Sequence, residues 1–287
     1  MTTSAPATTR PGFLRRFLRH RLAAAGLIIL FVLLVACFGA DWLAPFARGH
    51  QDLALGPTPP SGAHWLGTDE LGRDQLTELM YAGRISLAIG LAVAILSTAV
   101  GTLLGAVAGY LGGIGSEAIL RLTDLFLIVP GIAVLALALQ AFGSSMITIV
   151  LVLAALGWTY IARVVRGQVL SLREREFVEA ARGIGASGAR IIFRHLLPNL
   201  AGVIAVGISL SVAAAIIAES TLSYLGYGVQ PPQTSWGSLL SQAAGYLGTP
   251  QAYLLYTPGL LILVAVLCVN FIGDGLRDAL DPRGRQL

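Results

Sequence analysis

The sequence contains no lysine: all 19 of its basic residues are arginine, set against 15 acidic ones. Without lysine the chain can neither cradle a nucleotide's phosphates in a Walker-type loop nor form a Schiff base with a carbonyl substrate. Any ATP spent on its behalf must be hydrolysed by another chain, and no catalytic residue is assigned to this one. Charge of either sign is scarce, at 12% of residues against 55% hydrophobic. That composition excludes a water-soluble globule and makes lipid the solvent for most of the chain. Cysteine is nearly absent as well. Cys37 and Cys268 both fall inside apolar stretches, where a disulfide framework has no reason to form.

What remains is a series of long uncharged runs. Leu22–Ala40 follows a tail carrying Arg15, Arg16, Arg19, His20 and Arg21, and reads as a first membrane span. Arg15-Arg16-Phe17-Leu18 is similar to a twin-arginine signal and Leu34-Val35-Ala36-Cys37 to a lipoprotein cleavage box. An uncleaved anchor explains the same residues, given the further spans. Ile85–Tyr110 is the second span, with Gly101, Gly105 and Gly109 forming a ridge without side chains. Such a ridge lets another helix approach closely, either as static packing or against a moving neighbour. Leu125–Ala162 is long enough for two spans that turn at Gly143-Ser144-Ser145, with Pro130 expected to kink the third near its inner end. Leu196–Ala218 and Leu254–Ile272 complete six spans, none with a charge at mid-membrane. A secondary transporter or channel normally carries ionisable groups there, so the pattern favours an external energy source.

Between the spans, residues 41–84 are expected on the outer side. Asp69, Glu70 and Asp74 are close in sequence but lack the alternation of oxygen donors found in Ca²⁺ loops, so no metal site is assigned. Asp74 is expected to cap a short helix whose Leu76, Leu79 and Met80 face the lipid interface. Ser220–Tyr253 is uncharged but rich in Gly, Gln, Ser and Pro, poor lipid-facing material; it reads as an ordered outer loop. With this topology sixteen arginines fall inside and only Arg48, Arg73 and Arg84 outside, which sets both termini in the cytoplasm.

The one long charged run is Arg173–Pro198, REREFVEAARGIGASGARIIFRHLLP. Phe177, Val178, Ala181 and Ile184 have helical spacing, Gly183 and Gly185 interrupt, Ser187 can cap a restart, and Ile191, Ile192, His195 and Leu196 form a second apolar stripe. A basic helix-turn-helix could read DNA or lie on lipid headgroups. Tethered by about ten residues to spans on either side, however, it could hardly reach a DNA groove, and no nucleic-acid partner is expected.

Glu179-Ala180-Ala181, Gly185 and Leu197-Pro198 resemble the EAA signature of ABC-importer permeases, the cytoplasmic loop that docks into an ATPase subunit; His195 stands where that family often has Ile. Together with GTDELGRD at 67–74, GYLGG at 109–113, RHLLPN at 194–199, AESTLSYLGYGVQPP at 218–232 and GDGLRDALDPR at 273–283, the chain resembles the dipeptide/oligopeptide permeases of the peptide/nickel branch, in the C-type subunit. The resemblance implies an all-α, six-span type I importer fold in the bacterial inner membrane. Its parts would be an N-terminal segment 1–84, a permease core 85–275 with the coupling loop at 166–198, and a cytoplasmic tail 276–287. It implies a similar second permease, two ATPase subunits that bind ATP and Mg²⁺, and an extracytoplasmic substrate-binding protein.

On this reading Phe177 and Val178 are the docking knobs, Glu179 is an acceptor or internal clamp, Gly185 is the turn, and Leu197-Pro198 is the joint to span five. ATP would shift the inward/outward balance by its differential affinity for the two states. A broad, weakly polar path suits peptides; Gln140, Ser209 and Ser211 are candidates to line it. Glu219 could receive a peptide ammonium or clamp the following loop through backbone N–H groups. Nickel chelates and haem-like cargo remain alternatives within the branch.

Overall fold

The computed structural model describes residues 13–280, and these are mostly helical, with the longest irregular segment at 44–74. The N-terminal tail to residue 12, Arg283 and Arg285, and the end of the 273–283 motif lie outside the described residues. A short helix α1 (Phe13–Arg19) leads through His20, whose Nδ1 accepts the Ala23 N–H at 3.1 Å, into α2 (Arg21–Phe38), the first span. Leu34–Cys37 lies within α2, and Cys37 is buried. A single turn α3 (Ala40–Leu43) follows. Its Asp41 carboxyl is held below the usual carboxylate range, chiefly by hydrogen bonding from Arg84 and then from Tyr81.

Helix α4 runs from Gln75 to Leu111 without interruption, 37 residues, and crosses the expected boundary at 84/85. Asp74 does cap a helix, accepting from the Thr77 N–H at 2.8 Å, but that helix is this long span. The expected short interfacial helix is therefore absent. Leu79 and Met80 are buried, the first against Trp236 and Ala82 and the second beside Ala40 and Tyr81, rather than facing lipid. The absence of Pro between 75 and 111 lets the helix continue, and packing against Trp236 and Ala40 replaces lipid as the environment of its first turns.

The third span is α5 (Gly113–Ile128) followed by α6 (Gly131–Phe142), which meet at 83°. Pro130 thus breaks the span where a kink was expected. It disfavours helical geometry at the preceding residue, and Val129 is extended at ψ 129°. Gly143 turns the chain, Ser145 caps α7 (Met146–Leu172) by accepting from Thr148 N–H at 3.1 Å, and α7 returns to the starting end. The charged segment supplies α8 (Glu176–Gly183), α9 (Gly188–Ile191), a π-helical turn at Ile192–Leu196 and α10 (Leu197–Asn199). The fifth span, α11 (Ala201–Tyr224), starts later and ends later than its uncharged run suggested. Between α11 and the last span α13 (Tyr253–Leu280) stands α12 (Trp236–Gln242). Among the described residues five helices are long and apolar enough to cross a membrane, and the bent pair α5–α6, taken as one span, makes six.

The glycine ridge of α4 packs on α7. A Cβ at Gly101 would lie 2.5 Å from the Trp158 carbonyl, and one at Gly105 2.4 Å from the Ala162 carbonyl. Gly109 meets Val169 in the same way, at 2.8 Å. With no hydrophobic drive between helices in lipid, this close backbone approach is what holds the pair. At one end of the bundle α1 lies beside the close of α13, where His20 and Asp278 are 3.8 Å apart. Gly202, opening α11, touches Leu280 at that same end. At the other end sits segment 44–74, fastened to α13 by the Tyr253 hydroxyl, 2.7 Å from the carbonyls of both Thr58 and Thr68.

Candidate functional site

The charged segment Arg173–Pro198 is seated on the bundle rather than hanging from it. Val178 and Ala181 of α8, Ile191 of α9, and Ile192 and Leu196 of the π turn are buried together with Ala106 of α4 and Ile161, Val165 and Val169 of α7. Two arginines tie the seat to the end of α4. Arg173 donates to the Gly109 carbonyl at 3.2 Å, and the Arg182 guanidinium stacks 5.3 Å over the Tyr110 ring. Arg163 bonds Asp124 and Arg166 donates to Ser116 Oγ at 3.0 Å, so α7 also holds α5. Gly185 has φ +78°, the left-handed turn for which glycine is suited, and Ser187 caps the restart, accepting from Arg190 N–H at 3.4 Å.

Which side chains the loop presents differs from the sequence reading in one respect. Phe177 is exposed as expected, but Val178 is fully buried and cannot be an outward knob. Ile184, assigned above to the same apolar stripe, is 88% exposed, and Phe193 also faces outward. Phe177 and Ile184 are seven residues apart and fall on one side of the helical turn, whereas Val178 and Ala181 fall on the adjacent side. Glu179, Ala180, Gly185 and Pro198 are exposed, and Leu197 is half-buried. Behind them, Leu200 N–H bonds the carbonyls of Leu196 and Leu197, so the π turn, the Pro198 turn and α11 form one connected path.

A cavity of about 500 Å³ opens among α4, α6, α7 and α11. Its walls are Val93, Leu135, Leu153, Leu156 and neighbouring aliphatics, and its polar groups are the hydroxyls of Ser97, Thr159, Tyr160 and Ser211; among the described residues it is lined by none that carries a charge. Of the four path candidates only Ser211 lines it. Ser209 turns instead toward α13, donating to the Val206 carbonyl at 2.8 Å and leaving a Cβ at Gly273 only 2.2 Å of room. Gln140 is exposed but away from the cavity lining. Glu219 lies inside α11 and is fully buried. It accepts from Ser86 Oγ at 3.2 Å and Ser223 Oγ at 2.6 Å, so it is enclosed by hydroxyls and is not placed to meet a passing ammonium. Tyr160, Ser97 and Thr159 were not singled out from the sequence, because nothing local distinguishes a cavity hydroxyl from a packed one.

At the opposite end the acidic residues each have separate structural partners. Asp69 accepts from Arg73 Nε at 2.6 Å, Asp74 bonds His64 at 3.0 Å while capping α4, and Glu70 receives the Tyr246 hydroxyl. That last bond to the carboxylate pushes the Tyr246 phenol up to about 12.

Residues 101–286 match the family model described as binding-protein-dependent transport system inner membrane component, and residues 12–60 match that for the N-terminal TM domain of oligopeptide transport permease C. The chain is 40% identical over 283 residues to the oligopeptide transport system permease protein OppC of Mycobacterium tuberculosis strain H37Rv, covering 98% of this chain and 97% of that one. It is 41% identical over 273 residues to the protein of the same name from Haemophilus influenzae, covering 94% and 88% of the two chains. The multi-pass helical bundle and both family models agree, and the chain belongs to the binding-protein-dependent transport system inner membrane components, with an amino-terminal region of the oligopeptide permease C type.

Proposed function

We propose that this chain is one of two permease subunits of an ATP-driven importer of short peptides. The observation that carries the reading is the unbroken connection from exposed Phe177 and Ile184, through a buried seat on α4 and α7, across the Pro198 turn, into α11, which lines the uncharged cavity. Rigid apolar side chains on such a seat can sit in a cleft of an ATPase and follow its closure, and tilting the seat tilts α11. ATP and Mg²⁺ are held by two ATPase subunits, a second, similar permease completes the path, and an extracytoplasmic binding protein does most of the selecting. The relatives named for oligopeptide transport and the wide, weakly polar cavity support peptides as cargo.

In this reading the coupling segment and both termini face the cytoplasm of a bacterial inner membrane. Single cysteines at residues 225–245 are then expected to react with an impermeant maleimide added to intact cells. A cysteine at Ala180 is expected to react only after permeabilisation. The reverse pattern overturns the topology.

Function is tested by reconstituting the chain with its partner permease, ATPase subunits and binding protein in liposomes. Uptake of labelled di- to pentapeptides is compared with that of nickel chelates, haem and sugars. ATP-dependent peptide uptake is expected. Uptake confined to a non-peptide cargo overturns the substrate assignment, and uptake without the ATPase overturns the importer reading.

A further inference from the structure

Glu219 takes part in neither the coupling seat nor the cavity, yet it is fully buried inside a span. Two relays of hydrogen bonds run from the first amides of α12 to its two oxygens. In one, Trp236 N–H donates to Ser86 Oγ at 3.1 Å, which leaves the Ser86 O–H to donate to Glu219 Oε2 at 3.2 Å. In the other, Ser238 N–H donates to Ser235 Oγ at 3.2 Å, Ser235 O–H to Ser223 Oγ at 3.2 Å, and Ser223 O–H to Glu219 Oε1 at 2.6 Å. Every hydroxyl in both relays accepts from one side and donates to the other, and each relay ends on a carboxyl oxygen of Glu219.

The same junction has no slack. A Cβ at Gly237 would lie 2.6 Å from Ser220 Cα, and one at Gly83 2.5 Å from the Trp236 ring. The Trp236 indole N–H also bonds the Leu79 carbonyl at 2.9 Å. Three elements distant in sequence, the outer part of α4, the end of α11 and α12, therefore meet on one carboxylate. An apolar side chain would fill the space as well, but it would not specify the arrangement: pulling any one element away strands a buried carboxylate or a hydroxyl, which is costly at membrane depth.

We infer that Glu219 is a positioning residue that locks α12, the end of α11 and the outer part of α4 into one rigid body, so that a tilt of α11 begun at the coupling loop carries the outer loop with it. The drive from the coupling loop rests on the function proposed above; the rigid body does not.

The test uses the full reconstituted complex, with spin labels on cysteines replacing Tyr224 and Gln242, and a second pair replacing Leu91 and Gln242, all exposed positions. With Glu219 intact, both inter-label distances are expected to stay narrow and unchanged between nucleotide-free and ATP-bound states. Glu219→Gln, which presents an NH2 donor to one of the two relays where each needs an acceptor, is expected to broaden both distributions and lower the peptide transported per ATP hydrolysed by about tenfold, the size of one hydrogen bond lost at a buried polar group. Ser235→Ala is expected to do the same to a lesser degree, and serves if Glu219→Gln does not fold. Distances that shift between nucleotide states with Glu219 intact overturn the inference, as do variants with narrow distributions and an unaltered transport ratio. If the unsubstituted complex shows no ATP-dependent uptake, the functional reading fails, while the label distances still decide the rigid body.

Discussion

Replacing Ile184 with Asp is expected to abolish ATP-driven transport and ATPase co-purification while leaving the chain folded and inserted. Ile184 is 88% exposed and supports no neighbour within the chain, so a polar replacement there should change its own stability by no more than about 0.5 kcal/mol. In the assembled importer the same side chain would be enclosed by the ATPase cleft. An unpaired carboxylate enclosed there costs about 3–5 kcal/mol, more than a hundredfold in association. Ile184→Leu keeps the apolar contact and should transport normally. Val178→Asp should fail differently: Val178 is fully buried in the seat, so its charge unfolds the loop before docking is reached. The measurements are affinity capture of the ATPase subunits and peptide uptake in liposomes. Capture and uptake by Ile184→Asp at the unsubstituted level would place the docking face elsewhere and remove the observation on which the proposed function rests.

Gly105→Leu is expected to prevent the chain from reaching a stable fold. The first atom of any side chain there would lie 2.4 Å from the Ala162 carbonyl and 3.0 Å from both Ala162 Cα and Val165 Cβ. Much of that obstruction is backbone, so no rotamer change relieves it, and α4 must move away from α7. Overpacking alone costs about 1–3 kcal/mol, and here it also removes the close contact that substitutes for the missing hydrophobic drive in lipid. Gly167→Ala is the matched control on α7: a Cβ there meets nothing within 4 Å, and alanine favours helix by about 1 kcal/mol over glycine. Thermal unfolding in detergent should show the first variant lost or strongly destabilised and the second equal to or above the unsubstituted chain. A Gly105→Leu protein as stable as Gly167→Ala would show that the two helices are not held at the ridge.

The number of spans, the glycine ridge, the break region at Pro130 and the turn at Gly185 were legible in the sequence. Each depends on chemistry local to its residues: lipid demands an uncharged run of fixed length, proline constrains its neighbour, and a left-handed turn favours glycine. The seat of the charged loop was legible only in part. Val178 and Ile184 share an apolar stripe in one dimension, and what separates them is where α4 and α7 lie, which no local period encodes. The continuation of α4 through Gln75–Arg84 escaped the hydropathy reading because those polar residues are covered by other parts of the chain instead of by lipid, as Gln75 is by its bond to Thr257 of α13. Glu219 shows the limit most clearly. Its sequence position says only that an acidic residue ends an apolar run, whereas its partner Ser86 lies 133 residues away and its relays begin in a loop helix hidden in a Gly- and Pro-rich segment. The sequence by itself determined that the chain crosses the membrane and carries one charged loop, because partition between water and lipid is decided residue by residue. Only the tertiary structure decided which side chains that loop presents and what Glu219 holds together, because burial and hydrogen-bond direction belong to contacts between distant segments.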